Sequence, residues 1–170
     1  MATEIERKFL VNGNVYRELA ACVNVIEQGY LNTDPNRTVR IRHTQATGFI
    51  ASPKMTVKGK SSVDGLERAE IEFPICLSDY SSMIDLCEAI IRKHRYIVPF
   101  FYSLDGLLLV CVEVDEFQGS HLGLVVAEIE YSDRELISRL PIPEWLGEEV
   151  TGDVRYYNSN LAKAPTQHVS

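Results

Sequence analysis

Along most of this chain apolar and polar residues alternate one by one, the spacing of half-buried β-strands. Eight segments carry the pattern: Thr3–Leu10, Val25–Leu31, Thr38–Thr44, Phe49–Val57, Leu66–Ile75, Lys93–Tyr102, Leu107–Phe117 and Gly123–Tyr131. Asp105-Gly106, between two of them, suits a hairpin turn because both residues tolerate positive φ. Pro53 falls inside the fourth segment and predicts a bulge or an edge there. Three stretches follow helical spacing instead. Asn14 to Ala21 continues from an Asn cap with Val15 and Leu19 four apart, and Ser78 to Arg92 sets Met83, Leu86, Ile90 and Ile91 on one side. Ser132-Asp133-Arg134-Glu135 reads as a capping box opening a helix that must stop by Pro141. Eight strands with few helices predict an α+β protein built on an antiparallel sheet or barrel. Residues 1–163 are expected to form one domain, with residues 164–170 as a flexible tail.

Residues two apart on a strand share a face, and charges recur at that spacing on strand after strand. Glu4, Glu6 and Lys8 share one face; Arg40 and Arg42 another, opposite Val39 and Ile41. Glu70 and Glu72, Lys93 and Arg95, Glu113 and Asp115, and Glu128 and Glu130 repeat the rule, while Lys58 follows Met55-Thr56-Val57. On any single strand a solvated outer face explains such a pair. Six strands with segregated acidic and basic pairs, and few Ser, Thr, Gln or Asn among them, favour a barrel with its charges inside. Its apolar face would then lie outside, under the helices. Eight strands enclose room for one small ligand.

The charges also suggest the guest. Six cations (Lys8, Arg40, Arg42, Lys58, Lys93 and Arg95) imply an anion with many oxygens, which guanidinium forks bind bidentately. Eight carboxylates (Glu4, Glu6, Glu70, Glu72, Glu113, Asp115, Glu128 and Glu130) would repel that anion unless divalent cations bridge the two. All-oxygen ligation points to Mg²⁺ or Mn²⁺. His43, His94, His121 and His168 stand at no metal-binding spacing.

Composition bounds the alternatives. The 170 residues are 45% hydrophobic and 24% charged, as in an ordinary globular domain. A net charge of −7 argues against nucleic acid as the main partner. No apolar run approaches the ~20 residues of a membrane span, and Glu4 and Glu6 stand where a signal peptide needs an apolar core. Cys22, Cys76, Cys87 and Cys111 are scattered beside apolar runs and are expected to be buried free thiols, as suits a cytoplasmic protein.

The sequence resembles the CYTH superfamily, the triphosphate tunnel metalloenzymes. Glu4-Ile5-Glu6-Arg7-Lys8 matches the E-x-E-x-K signature. Gln28-Gly29-Tyr30-Leu31, Val39-Arg40-Ile41-Arg42, Thr56-Val57-Lys58-Gly59 and Glu67 to Glu72 follow in family order, and so do Lys93 to Tyr96, Glu113-Val114-Asp115 and Glu128-Ile129-Glu130. Val150 to Tyr156 and Asn160-Leu161-Ala162 resemble its C-terminal segment. The resemblance implies an eight-stranded tunnel acting on a triphosphate (inorganic, nucleoside or thiamine) with Mg²⁺ or Mn²⁺. Glu4, Glu6, Asp115, Glu128 and Glu130 would hold metal. Lys8, Arg40, Arg42, Lys58, Lys93 and Arg95 would hold phosphate, and Lys8 and Tyr30 would assist the attacking water or the leaving group. Glu70, Glu72, Glu113 and Asp153 are carboxylates without an assigned role, and a turn or cap suits Asp153 equally. Adenylate cyclisation of ATP, as in class IV cyclases, and non-catalytic polyphosphate or nucleotide binding are the alternatives. A homodimer is expected by analogy alone. Val154 departs from an expected basic position, and Arg68, Arg92 and Arg155 read as rim or surface ion-pair partners.

Overall fold

The computed structural model describes residues 2–46, 48–104 and 106–163. Its frame is the set of strands β1 (Ala2–Val11), β2 (Cys22–Asn32), β3 (Thr38–Ala46), β4 (Phe49–Ile50), β5 (Lys54–Ser61), β6 (Glu67–Pro74), β7 (Ala89–Leu104), β8 (Gly106–Phe117), β9 (Val125–Glu130) and β10 (Leu146–Glu149). Neighbours follow the order β1-β6-β5-β3-β2-β7-β8-β9, and β9 pairs back onto β1, so eight antiparallel strands close a barrel. β1 closes it by serving two partners. Ala2 to Ile5 lie against β6, whereas Glu6 to Leu10 lie against β9. The short β4 and β10 attach outside the ring, to β3 and to the end of β1.

The predicted segment Phe49–Val57 is two strands, broken around Pro53, whose carbonyl accepts a hydrogen bond from Ile75 N. The predicted helix Ser78–Arg92 is corrected more deeply. Helix α2 (Leu77–Ile84) ends early and residues from Ala89 onward join β7, paired with β2. An added Cβ on Gly29 of β2 would stand 2.5 Å from Cys87 Sγ and 2.6 Å from Ile84 Cδ1, so glycine is what lets the end of α2 lie on the barrel wall. α2 is capped by the Cys76 thiol, which accepts from Asp79 N.

The other expected helices shrink to single turns, α1 (Tyr16–Leu19) and α3 (Leu136–Arg139). No Asn14 side-chain cap forms, Val15 and Leu19 are exposed, and Tyr16 is the buried residue. The Ser132 capping box is replaced by Asp133, whose carboxylate accepts from Glu135 N. The cysteines are free, but Cys22, Cys76 and Cys111 are exposed rather than buried. Asp105 and residues 164–170 lie outside the described residues.

The apolar faces point outward, as the charge pattern required. The main core packs Phe9, Val98, Val112, Val114, Ala127 and Ile129 of β1, β7, β8 and β9 against Tyr16, Leu140 and Leu146, with Trp145 beside them. A second cluster, of Tyr30, Ile91, Phe117 and Val126 on inward positions, packs against Leu161 of the C-terminal turn α4 (Asn158–Leu161). His121 anchors that turn through Leu161 O at 2.7 Å, and Lys163 Nζ donates to Thr33 O at 3.0 Å. Among the described residues no helix is long and apolar enough to cross a membrane.

Candidate functional site in the barrel lumen

The barrel encloses a cavity of about 440 Å³. Its wall carries the carboxylates Glu4, Glu6, Glu70, Glu72, Glu113, Glu128 and Glu130 and the cations Lys8, Arg40, Arg42, Lys58, Arg68 and Arg95. Alternation on each strand puts them there, since apolar residues such as Ile5, Ile41 and Ile129 take the outward positions between them. Strand register then sets the partners: Lys58 stands opposite Glu70, and Lys8 opposite Glu128.

Four of the six lumen cations, Lys8, Arg42, Lys58 and Arg95, are held by carboxylates. Lys58 Nζ lies 2.5 Å from Glu4 and 2.7 Å from Glu70. Lys8 Nζ bonds Glu128 and sits 2.7 Å from Glu6. Burial opposes the Lys8 charge, but Glu128 and Glu6 outweigh it and hold the amine above the usual lysine range. Glu72 accepts from Lys54 at 2.5 Å, Thr56 at 3.1 Å and Arg42 at 3.2 Å. Arg95 bonds Glu113, reaches Glu128 at 2.9 Å, and grips Asp115 with Nε at 2.7 Å and Nη2 at 2.6 Å.

Two regions stay unbalanced. The Glu130 carboxylate makes no hydrogen bond or ion pair among the described residues. Partial burial, together with Glu4, Glu113, Glu70 and Glu6, pushes it above the usual carboxylate range. Across the lumen, burial and the neighbouring Arg40 and Arg95 push Arg42 below the usual guanidinium range. Arg40 is itself buried, with a buried Nε that finds no acceptor. Within an otherwise paired lumen, the Glu130 carboxylate thus lacks a cation and Arg40 Nε lacks an acceptor. Among the described residues no three acidic, His or Cys side chains already converge as a ligand set. The donors are all carboxylates and Glu130 is not neutralised, which fits a hard divalent cation.

Lys93 and Asp115, expected on the lumen wall, share the inward face with Arg95 and Glu113 but do not line the cavity. They pair with one another in near-complete burial, so Asp115 serves as counter-ion to Lys93 and Arg95. Asp153 is no lumen carboxylate: it caps the turn at Val154–Tyr156 and pairs with Arg155 at 2.6 Å. Val154 is exposed beside it. Arg92 pairs with Glu27 at 2.6 Å on the surface. Arg68 lines the cavity, yet its guanidinium is committed to Gly59 O at 2.7 Å and Pro35 O at 2.9 Å.

Tyr30 lines the cavity, and burial pushes its phenol up to about 12, so it stays protonated at neutral pH. Beside it on the same inner face is Gln28, fully buried and given no role from the sequence, although its place two residues before Tyr30 already put it there. A second cavity of about 220 Å³ shares Arg42, Arg95 and Glu113 with the lumen and adds Asn24, Thr44, Ser52 and Lys54.

Comparison with known proteins agrees with this architecture. Residues 2–135 match the CYTH domain. An inorganic triphosphatase of Acetivibrio thermocellus is 41% identical over 167 residues, covering 97% of this chain and 96% of its own. One from Nitrosomonas europaea is 35% identical over 164 residues, covering 94% and 97%. A crystal structure of an inorganic triphosphatase superposes with a TM-score of 0.60 at 29% identity, covering 98% of this chain and 99% of that one. A closed barrel of eight antiparallel strands, charged within and apolar without, is thus joined to a domain match over most of the chain, and the protein belongs to the CYTH family.

Proposed function

We propose that this chain hydrolyses inorganic triphosphate inside the barrel with the help of a divalent cation, Mg²⁺ or Mn²⁺. The observation that carries this reading is the paired imbalance of the lumen. A buried Arg40 Nε without an acceptor lines the same cavity as Glu130, whose carboxylate has no cationic partner among the described residues and feels the charges of Glu4, Glu113, Glu70 and Glu6. A polyanion carrying a divalent cation supplies both missing charges at once. Two relatives that match this chain nearly end to end, both inorganic triphosphatases, support the choice of guest.

In the mechanism, Arg40, Arg42, Lys58 and Arg95 bind the phosphate oxygens, and Lys93 with Asp115 keeps Arg95 in place. Glu4, Glu6, Glu128 and Glu130 would hold the cation, which would supply charge shielding at the phosphate oxygens. Lys8 and Tyr30 stand on the wall and assist at the reacting phosphate. Water adds to the terminal phosphorus, its bond to the bridging oxygen breaks, and orthophosphate and pyrophosphate form. Positioning and charge stabilisation do most of the catalysis in such transfers. Four free thiols suit a reducing compartment, which we take to be the cytoplasm.

The test is to supply the purified protein with Mg²⁺ or Mn²⁺ and, separately, inorganic triphosphate, ATP or thiamine triphosphate. Orthophosphate release is expected from inorganic triphosphate, with loss on chelation and in Glu6→Gln. Cyclic AMP and pyrophosphate from ATP would establish a cyclase instead, and binding without turnover a sensor.

A further inference from the structure

On the inner face of the barrel, one buried amide connects the two residues that frame the phosphate site. Gln28 sits between Tyr30 and Arg40, and its contacts have a fixed direction. Arg40 has only N–H donors, so the Gln28 group 3.2 Å from Arg40 Nη1 must be the carbonyl oxygen Oε1. An amide has one oxygen and one NH₂. The group 2.5 Å from the Tyr30 hydroxyl is therefore Nε2, which can only donate. With the amide reversed, NH₂ would face guanidinium in full burial. The Tyr30 oxygen thus accepts from Gln28, with the positive charge of Arg40 close by.

One consequence concerns the phenol proton. The Tyr30 oxygen is engaged by a donor, and among the described residues no acceptor receives its O–H. Tyr30 is otherwise packed in an apolar cluster, and its open side is the lumen. We infer that Gln28 is a positioning residue: it converts the fixed donor character of Arg40 into a fixed orientation of the Tyr30 O–H, aimed into the lumen as a hydrogen-bond donor to a phosphate oxygen. The polarity suits the guest, because a phosphate chain carries acceptors alone. Preorganised donors directed at developing oxyanion charge are worth more than donors that must reorient during reaction. On this arrangement Tyr30 supports the phosphate or the leaving oxygen, and taking a proton from water falls to other groups. The inference rests on the proposed triphosphatase reading, and its test separates the two.

Gln28→Met keeps the volume and removes both amide contacts. With inorganic triphosphate and Mg²⁺, kcat is expected to fall about tenfold while KM stays within about twofold, less than the ~10²–10³ that deleting a preorganised donor costs, because the Tyr30 hydroxyl itself remains. In a Tyr30→Phe background the same substitution should cost less than about twofold, because the group it orients is gone. A residue that only fills space would lower thermal stability and cost as much in the Tyr30→Phe background as in the wild type. Wild-type kcat in Gln28→Met, or an undiminished cost in the Tyr30→Phe background, overturns the inference. Where Gln28→Met does not fold, Gln28→Glu keeps the shape but can only accept, so it captures the Tyr30 proton. It should lose at least as much kcat, and wild-type kcat in that variant is equally fatal. A readout without turnover is the ¹³Cζ resonance of labelled tyrosine, assigned to Tyr30 by its absence in Tyr30→Phe. Gln28→Met should shift it in the ligand-free protein. No shift sinks the relay even if the protein hydrolyses nothing, whereas a shift in a protein inert toward triphosphate sinks only the proposed function.

Discussion

Lys93 and Asp115 form an ion pair sealed away from the cavity, their side chains 1% and 2% exposed. Arg95 adds two hydrogen bonds to the same carboxylate, so a single buried anion is shared by two buried cations. The arrangement fixes the Arg95 guanidinium with its remaining N–H groups directed at Glu113 and Glu128.

Removing Asp115 strands both cations. Asp115→Ala should cost about 3–5 kcal/mol in chemical denaturation, the usual penalty for an uncompensated buried charge. The paired change Lys93→Met with Asp115→Leu should recover much of that loss. A small cost for Asp115→Ala alone would mean that water reaches the site.

The pair also predicts a pH response. Burial, and then repulsion from Arg95, pushes the Lys93 amine from 10.5 down to about 8. An unfolded lysine keeps its proton to the higher value, so between the two values the unfolded chain binds more protons. The contribution of Lys93 to stability therefore increases as pH rises through that window, and its penalty is fully present below it. Melting temperature followed from pH 7 to 10 should show this rise relative to Lys93→Met, which lacks the group.

Glu130 lacks a cation and stands among carboxylates. Glu130→Gln should raise the metal-free melting temperature by no more than about 2 °C, since exposed charge interactions are worth under ~1 kcal/mol. The same change should reduce the stabilisation produced by added Mg²⁺ or Mn²⁺ and lower triphosphate turnover. Equal metal stabilisation of wild type and variant would remove Glu130 from the cation site.

At the tunnel mouth Gly65 and Gly152 meet with φ values of +73° and +76°, and a Cβ on Gly65 would lie 2.3 Å from Gly152 Cα. Gly65→Ala should cost on the order of 2 kcal/mol or more, combining left-handed backbone strain with the clash. Gly13 also has positive φ but open space around it, so Gly13→Ala should show the strain alone and cost less. Equal thermal shifts in the two variants would argue that the close approach contributes nothing.

Much of this protein was legible in the sequence because a strand has a side-chain period of two. Arg40 with Arg42, Glu70 with Glu72, and Glu128 with Glu130 revealed the inner face, while Ile41, Ile71 and Ile129 between them revealed the outer one. The same period could have flagged Gln28, but an uncharged amide carries no signal until its neighbours are known. Residues 85–92 misled for a different reason. Asp-Leu-Cys-Glu-Ala-Ile-Ile-Arg suits a helix by propensity and spacing, and only the pairing of Ala89 and Ile90 with Tyr30 and Gly29 draws its second half into a strand. β10 was missed because Leu-Gly-Glu-Glu has little strand character apart from the edge of β1 that it joins.

By itself the sequence determined that six strands carry charge on one face, hence a charged lumen, since alternation is a local property of the backbone. Which charges meet was decided by the tertiary structure alone. Register and barrel closure put Glu130 near other carboxylates, sealed Asp115 and Lys93 together away from the cavity, and set Gln28 between Tyr30 and Arg40. Apart from Gln28 with Tyr30, those relationships join residues on different strands, and electrostatic energy depends on distance and burial in space, which no local pattern encodes.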